Sequence, residues 1–461
     1  MRIERDSMGE MQVPDSAYYG AQTQRAFENF PVSDLKLPVP TIKALGMIKR
    51  SAAIVNNKLG FIPEDIKNAI VKAADEVIDG KFNDQFIVDI FQTGSGTSSN
   101  MNTNETIANR ASELMGGNIG DRFPVHPNDH VNYGQSSNDV FPTAIHVSAN
   151  IEVQNSLIPS LENLYNSLDK KAKEFDSIMK IGRTHLQDAT PIRLGQEFSG
   201  YAQMIKNGIS RLKNSQPLLS ELAQGGTAVG TGINTHKDFG RLIADEITNI
   251  SGVQFKEAEN HFEAQATQDA AVELSGALKT IAVSLSKIAN DIRWLGSGPR
   301  AGLGEVILPS VQPGSSIMPG KVNPVICESM IQACAQVIGN DLAITLGGQG
   351  GVFELNLMLP LIAHNLLQSI QILSNASIMF TEKLVDGLQA DEKKCNDYIE
   401  GSLAMCTSLA PVIGYDKAAA IAHKAYETGK TVRQIAIEDK VLEENKLNEL
   451  LDPRSMTEPN S

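Results

Sequence analysis

The sequence predicts a mainly α protein built around a bundle of long helices, and three observations carry that expectation. Leu274, Leu278, Ile281, Leu285, Ile288, Ile292 and Leu295 recur at alternating steps of four and three, which lays one apolar stripe along a single long helix. Leu157, Leu161, Leu164 and Leu168 repeat that theme, as do Leu359, Ile362, Leu366 and Leu373. Strand-like alternation of apolar and polar residues is scarce. Helices of roughly 25–35 residues that each carry such a seam bury it by packing on one another. The single tryptophan, Trp294, lies beside the first seam and reads as core.

The elements fall into three regions of different texture. Residues 1–135, an N-terminal domain, mix short helical patterns with turn-rich stretches such as Gly94-Ser-Gly96 and Gly116-Gly-Asn-Ile-Gly120. Residues 136–391 hold the long periodic helices and form the central bundle domain. Residues 392–461 form a small C-terminal domain of shorter helices, ending in a polar tail from Pro453 to Ser461 that is expected to fray.

Composition narrows the function. A chain of 461 residues is long enough for a large core and more than one domain. The formal net charge of −14 argues against a nucleic-acid partner or an anionic membrane surface. It leaves an anionic small substrate open, because a pocket can be locally basic within an acidic protein. The opening Met1-Arg-Ile-Glu-Arg-Asp6 has no apolar signal core, and no uninterrupted apolar run reaches the roughly 18 residues of a membrane span. A cytoplasmic protein is expected.

Cys327, Cys334, Cys395 and Cys406 form no Cys-x-x-Cys pair and match neither zinc nor iron–sulfur spacing, so they read as reduced, buried thiols. His126-Pro-Asn-Asp-His130 contains ligand-capable side chains but lacks further ligands at a recognised spacing, and no metal is assigned to it. The run from Gly225 to Asn234 is glycine-rich, yet it lacks the Gly-Lys-Ser/Thr ending of a phosphate-binding loop. No Gly-x-Ser-x-Gly elbow points to a serine hydrolase.

Four segments interrupt the helical pattern with small polar residues and glycine: Gln92 to Asn102, Gln135 to Asp139, Gly182 to Asp188 and Gly314 to Pro324. Each flanks a long helix and offers hydroxyl, amide and backbone N–H groups, the donors that hold a carboxylate. The last is the most informative, because two glycines and two prolines within it forbid a helix. It presents Ser315, Ser316, Lys321 and Asn323 together, with Ile317, Met318 and Val322 making simple solvation of the lysine less natural.

These segments closely resemble the class II fumarases of the fumarase/aspartase superfamily over essentially the whole chain. Gly314-Ser-Ser-Ile-Met-Pro-Gly-Lys-Val-Asn-Pro324 matches the superfamily signature. It is joined by Thr93 to Glu105, His126 to Asp129, Gln135 to Asp139 and Gly182 to Asp188. Gly320 and the Ser136-Ser137-Asn138 triplet look like fumarase, where aspartases usually carry alanine and Ser-Thr-Asn.

The resemblance implies a three-domain fumarase/aspartase-like fold and a homotetramer whose active sites are each built from three subunits. It implies reversible hydration of fumarate to L-malate with no metal or organic cofactor. Ser315 is then the base at C3, and His185, tuned by Glu328, handles the proton of the water. Ser95, Gly96, Thr97, Ser136, Ser137, Asn138, Thr184, Ser316, Lys321, Val322 and Asn323 are the substrate-binding set. His126, Pro127, Asn128 and Asp129 resemble an accessory dicarboxylate site. Relatives often carry basic residues directly before it, whereas Phe123-Pro-Val125 stands there in this chain, with Arg122 just upstream. Two alternatives are aspartate ammonia-lyase and a catalytically inactive helical scaffold of the same fold.

Overall fold

The computed structural model describes residues 1–459, and most of them are helical. The longest helices are Leu194–Leu219, Asp269–Leu295, Val325–Gly348 and Leu359–Phe380, of 26, 27, 24 and 22 residues. The helix Ser137–Glu152 passes through a π turn, Val153–Leu157, straight into Ile158–Glu174. The strands of the described residues pair only as two-stranded sheets.

The predicted seams are buried. Leu274, Leu278, Leu285, Ile288 and Ile292 are fully inaccessible, as are Leu157, Leu161, Leu164 and Leu168 and the Leu359, Ile362, Leu366, Leu373 set. Burying a leucine or isoleucine side chain contributes about 1.5–3 kcal/mol each, so these seams account for why the helices form. Trp294 departs from its expected place in the core. It is 47% exposed, because it sits one position before Leu295 and so points off the seam.

The described chain divides into two compact units. The first comprises Met1–Pro159, Ile209–Ala282 and Ala333–Ser374. Within it the helix Val39–Lys58 packs on Glu64–Ile78, Ser137–Glu152 and Phe239–Ser251. The helix Thr97–Leu114 is unusual: Ser98, Ser99, Asn100, Asn102, Thr103, Asn104, Glu105 and Thr106 are all buried. The serines, threonines and asparagines among them are poor helix formers, so packing overrides propensity here.

The second unit takes in Ser160–Gly208, Val283–Gln332 and the chain from Asn375 onward. It contains the antiparallel hairpin of Met179–Thr184 and Gln187–Arg193, with an irregularity between Ile181 and Arg183. Its C-terminal helices close over Leu409, Ile435, Ala436, Leu447 and Leu451. The tail is more ordered than expected. Pro453–Met456 forms a short 3-10 turn, and Thr457 is anchored by Arg193 Nη1 (2.9 Å to its hydroxyl) and Gln196 Nε2 (2.9 Å to its carbonyl). The last two positions of the predicted tail lie outside the described residues. Cys327, Cys334 and Cys395 are buried as read, whereas Cys406 is only partly covered. No helix among the described residues is long and apolar enough to cross a membrane.

Candidate active site

In the first unit, two helix N-termini carry the polar groups. Thr97–Leu114 starts from Gly96, whose φ of +74° is the left-handed conformation that glycine tolerates. A Cβ at Gly96 would lie 2.2 Å from the Phe141 ring, and one at Gly94 2.0 Å from the Leu357 carbonyl oxygen. Two glycines thus allow Ser95 and Thr97 their close approach. A chain of hydroxyls follows: Ser95 Oγ to Thr97 Oγ1 at 2.9 Å, then Thr97 Oγ1 to Ser137 Oγ at 2.6 Å. Ser136 caps the Ser137–Glu152 helix in a capping box with Asp139. Asn138 Nδ2 donates to the Ala228 carbonyl at 2.8 Å.

Asp139 ties this end to the glycine-rich run. Its carboxylate accepts from the backbone N–H of Ser136 (2.9 Å), Thr227 (2.9 Å) and Gly225 (3.2 Å). Burial nevertheless pushes its pKa up to about 6, against those hydrogen bonds. Lys49 is fully buried nearby, and Nζ donates to Asn132 Oδ1 at 2.8 Å and Gln135 Oε1 at 3.0 Å. Burial holds its pKa down to about 7, partly countered by the Asp139 charge.

In the second unit, His185 and Leu186 occupy the hairpin tip with φ of 56° and 59°. Thr184 and His185 are exposed there. The hairpin is fixed below its tip by Arg183, whose two guanidinium nitrogens reach Glu305 at 2.8 and 3.0 Å. Glu305 is fully buried and also lies 3.6 Å from Lys180, which in turn pairs with Glu197 at 3.2 Å. Burial disfavours the Arg183 charge, yet the Glu305 carboxylate outweighs that and raises its pKa.

The loop Gly314 to Pro324 is non-helical, as its prolines and glycines require. Ser315 Oγ accepts from the backbone N–H of Ile317 at 3.2 Å and Met318 at 3.0 Å. Asn323 Nδ2 donates to the Gly314 carbonyl and closes the loop on itself. Gly314 is obligatory, since a Cβ there would stand 2.1 Å from the Lys321 carbonyl oxygen. Ser315 and Lys321 border a cavity of about 470 Å³. Ser316, Lys321, Val322 and Glu328 are exposed in the chain, and so are the apolar neighbours Ile317 and Met318.

The accessory segment His126 to Asp129 opens a five-residue π turn, Pro127–Val131, which His126 caps. His126 Nδ1 accepts from the backbone N–H of Asn128 (3.2 Å) and Asp129 (3.1 Å), so two donors that an anion would use are already engaged. Phe123 is 75% exposed beside it.

Thus hydrogen bonds join Ser95, Thr97 and Ser137 directly, and Ser315 and Asn323 each bond within their own loop. Among the described residues no hydrogen bond links His185 to Glu328. Lys49 and Glu305 escaped the sequence reading. Lys49 left a signal: it falls on the apolar spacing Ile42, Leu45, Lys49, Ala52, the wrong face for a solvated lysine. Glu305 left none, because its partners are more than a hundred residues away.

A family model described as "Lyase" matches residues 9–339, and one described as "Fumarase C C-terminus" matches residues 405–458. The chain is 57% identical over 456 residues to the class II fumarate hydratase of Halobacterium salinarum, covering 99% of this chain and 97% of that protein. The chain belongs to the class II fumarase family. That membership makes it a hydro-lyase. It is likewise 54% identical over 460 residues to the mitochondrial fumarate hydratase of Homo sapiens, covering 99% of this chain and 90% of that one. The crystal structure of class II fumarase from Schistosoma mansoni superposes with a TM-score of 0.97 at 43% identity, covering all of both chains.

Proposed function

We propose that this chain catalyses the reversible hydration of fumarate to L-malate, with Ser315 and His185 handling the two protons. The observation that carries the assignment of roles is the pair of backbone N–H groups directed at Ser315 Oγ. A serine hydroxyl is too weak a base to take a carbon-bound proton unaided, and donors that favour its charged form make the alkoxide accessible. In dehydration, Ser315 takes the proton from malate C3. The electron pair left behind moves onto the adjacent carboxyl group as an aci-carboxylate. Lys321 and Asn323 are the cation and donor assigned to that charge, and fixed donors of this kind are worth about 10²–10³ in rate each.

His185 then gives a proton to the departing hydroxyl, which leaves as water; in hydration it takes that proton from water instead. An imidazole suits both directions because its ordinary pKa is near neutrality. Glu328 is assigned the role of tuning it. The hydroxyls of Ser95, Thr97, Ser136, Ser137, Thr184 and Ser316, the Asn138 amide and the backbone at Gly96 and Val322 hold the two carboxylates. Such a step needs no metal or organic cofactor.

A homotetramer with each site drawn from three subunits is part of the same reading, supported by the exposure of His185, Lys321 and Glu328 in the single chain. So are the division near residues 135 and 391, a cytoplasmic location and a place in the tricarboxylic acid cycle. His126 to Asp129 is proposed as an accessory dicarboxylate site, weakened by its self-capping. The test of the chemistry is Ser315→Ala in the full-length protein. Loss of about 10²–10⁴ in kcat with helicity and oligomeric state unchanged supports the assignment, and near-normal turnover removes Ser315 from the mechanism.

A further inference from the structure

Resting on the dicarboxylate reading above, we infer that Lys49 is a positioning residue for the substrate's carboxylates: a buried cation that fixes the turn leading into Ser136, Ser137 and Asn138 and adds positive potential behind it. Lys49 lies in the middle of the Val39–Lys58 helix, on the buried face, with no exposed surface. A lysine rarely reaches full burial unless it is paired or hydrogen-bonded. Here its two hydrogen-bond partners are Asn132 and Gln135, neutral amides rather than a carboxylate.

Those two amides build the turn. Asn132 Nδ2 donates to the Gln135 carbonyl at 3.1 Å, and Gln135 Nε2 donates to the Val131 carbonyl at 3.1 Å. Asn100, on the Thr97 helix, adds its Nδ2 to the same Asn132 oxygen at 3.3 Å. Asn132 therefore joins the helix bearing Thr97 to the turn bearing Ser136, and Lys49 holds Asn132 and Gln135 from behind. The carboxylate that acts on it, Asp139, is already engaged by three backbone N–H groups, so its charge is spread over other donors.

A helix N-terminus attracts anions through its free N–H groups, and a cation behind it in a low-dielectric interior strengthens that field. The pKa of about 7 means that the proton on Lys49 is exchangeable near neutrality. By reciprocity, an arriving dianion favours the protonated form.

The test uses two variants of the full-length protein. Lys49→Met keeps the volume and removes the charge, leaving the Gln135 Oε1 acceptor without its Lys49 donor. Lys49→Gln keeps a donor without the charge. Steady-state kinetics with fumarate and with L-malate, and inhibition by the unreactive dicarboxylate succinate, are measured for each beside thermal unfolding. In both variants KM and the succinate inhibition constant are expected to rise about tenfold or more, with kcat within about threefold. KM and the inhibition constant unchanged in either folded variant overturns the inference, as does a loss confined to kcat. A wild-type protein that turns over neither fumarate nor L-malate defeats the proposed function instead, which keeps the two failures distinct.

Discussion

Ser315 and His185 show how differently two candidate proton carriers are held. Ser315 is bound into its own loop by two N–H donors, whereas His185 stands on a hairpin tip whose backbone is left-handed at two successive residues. His185→Asn retains a polar side chain of similar reach but cannot carry the proton. It should lower kcat by about 10²–10⁴ without changing oligomeric state, and a mild effect would make His185 structural.

Lys49 and Asp139 allow a prediction about pH and stability. Lys49 titrates at about 7 when folded against an ordinary 10.5, so the unfolded chain holds the extra proton between those values and the Lys49 contribution to stability rises with pH across that window. Asp139 titrates at about 6 against 3.8, so the folded chain holds the extra proton there and its contribution falls as pH rises from 3.8 to about 6. Relative to Lys49→Met, wild-type Tm should therefore gain between pH 7 and pH 9. A constant difference between the two proteins over that range would contradict the burial-depressed lysine.

At the scale of elements, the loop and the hairpin depend on contacts that substitutions can remove one at a time. Glu305→Gln leaves Arg183 and Lys180 without the buried carboxylate that faces both. Breaking a buried ion pair from one side typically costs about 3–5 kcal/mol, and denaturant unfolding should show a loss of that order. Unchanged stability would mean that the network is not held as drawn. Gly96→Ala combines a φ of +74° with a Cβ 2.2 Å from Phe141, so it should destabilise by about 1–3 kcal/mol and weaken carboxylate binding at Thr97. An unaltered Tm would argue against the close approach.

The same elements show what sequence can reveal. The seam from Leu274 to Leu295 was legible because its residues sit on one helix and report their burial through spacing alone. The four polar segments were legible because glycine, proline and clustered hydroxyls contradict helical periodicity locally. The tail was misread because its anchors, Arg193 and Gln196, lie about 260 residues earlier, and Trp294 because a neighbour of a seam need not share its face. The Arg183–Glu305 clamp and the Lys49 hydrogen bonds join distant residues; local spacing reports the burial of Lys49 but not its partners.

For the molecule as a whole, family membership and the geometry of the polar segments point the same way. The net charge of −14 sits with a buried lysine, Lys49, in the first unit and a loop lysine, Lys321, in the second, so the cations proposed to meet the substrate are local exceptions in an acidic protein. The exposed Lys321, Val322 and His185 fit a site completed by other subunits, an arrangement that is checked by measuring mass in solution. The most direct test of the central claim is turnover of the purified full-length protein, followed by the ultraviolet absorbance of fumarate, with L-malate and L-aspartate in parallel and EDTA in both. Fumarate released from L-malate alone, at a rate indifferent to EDTA, is the predicted result. Fumarate from L-aspartate alone, or from neither, would contradict the account.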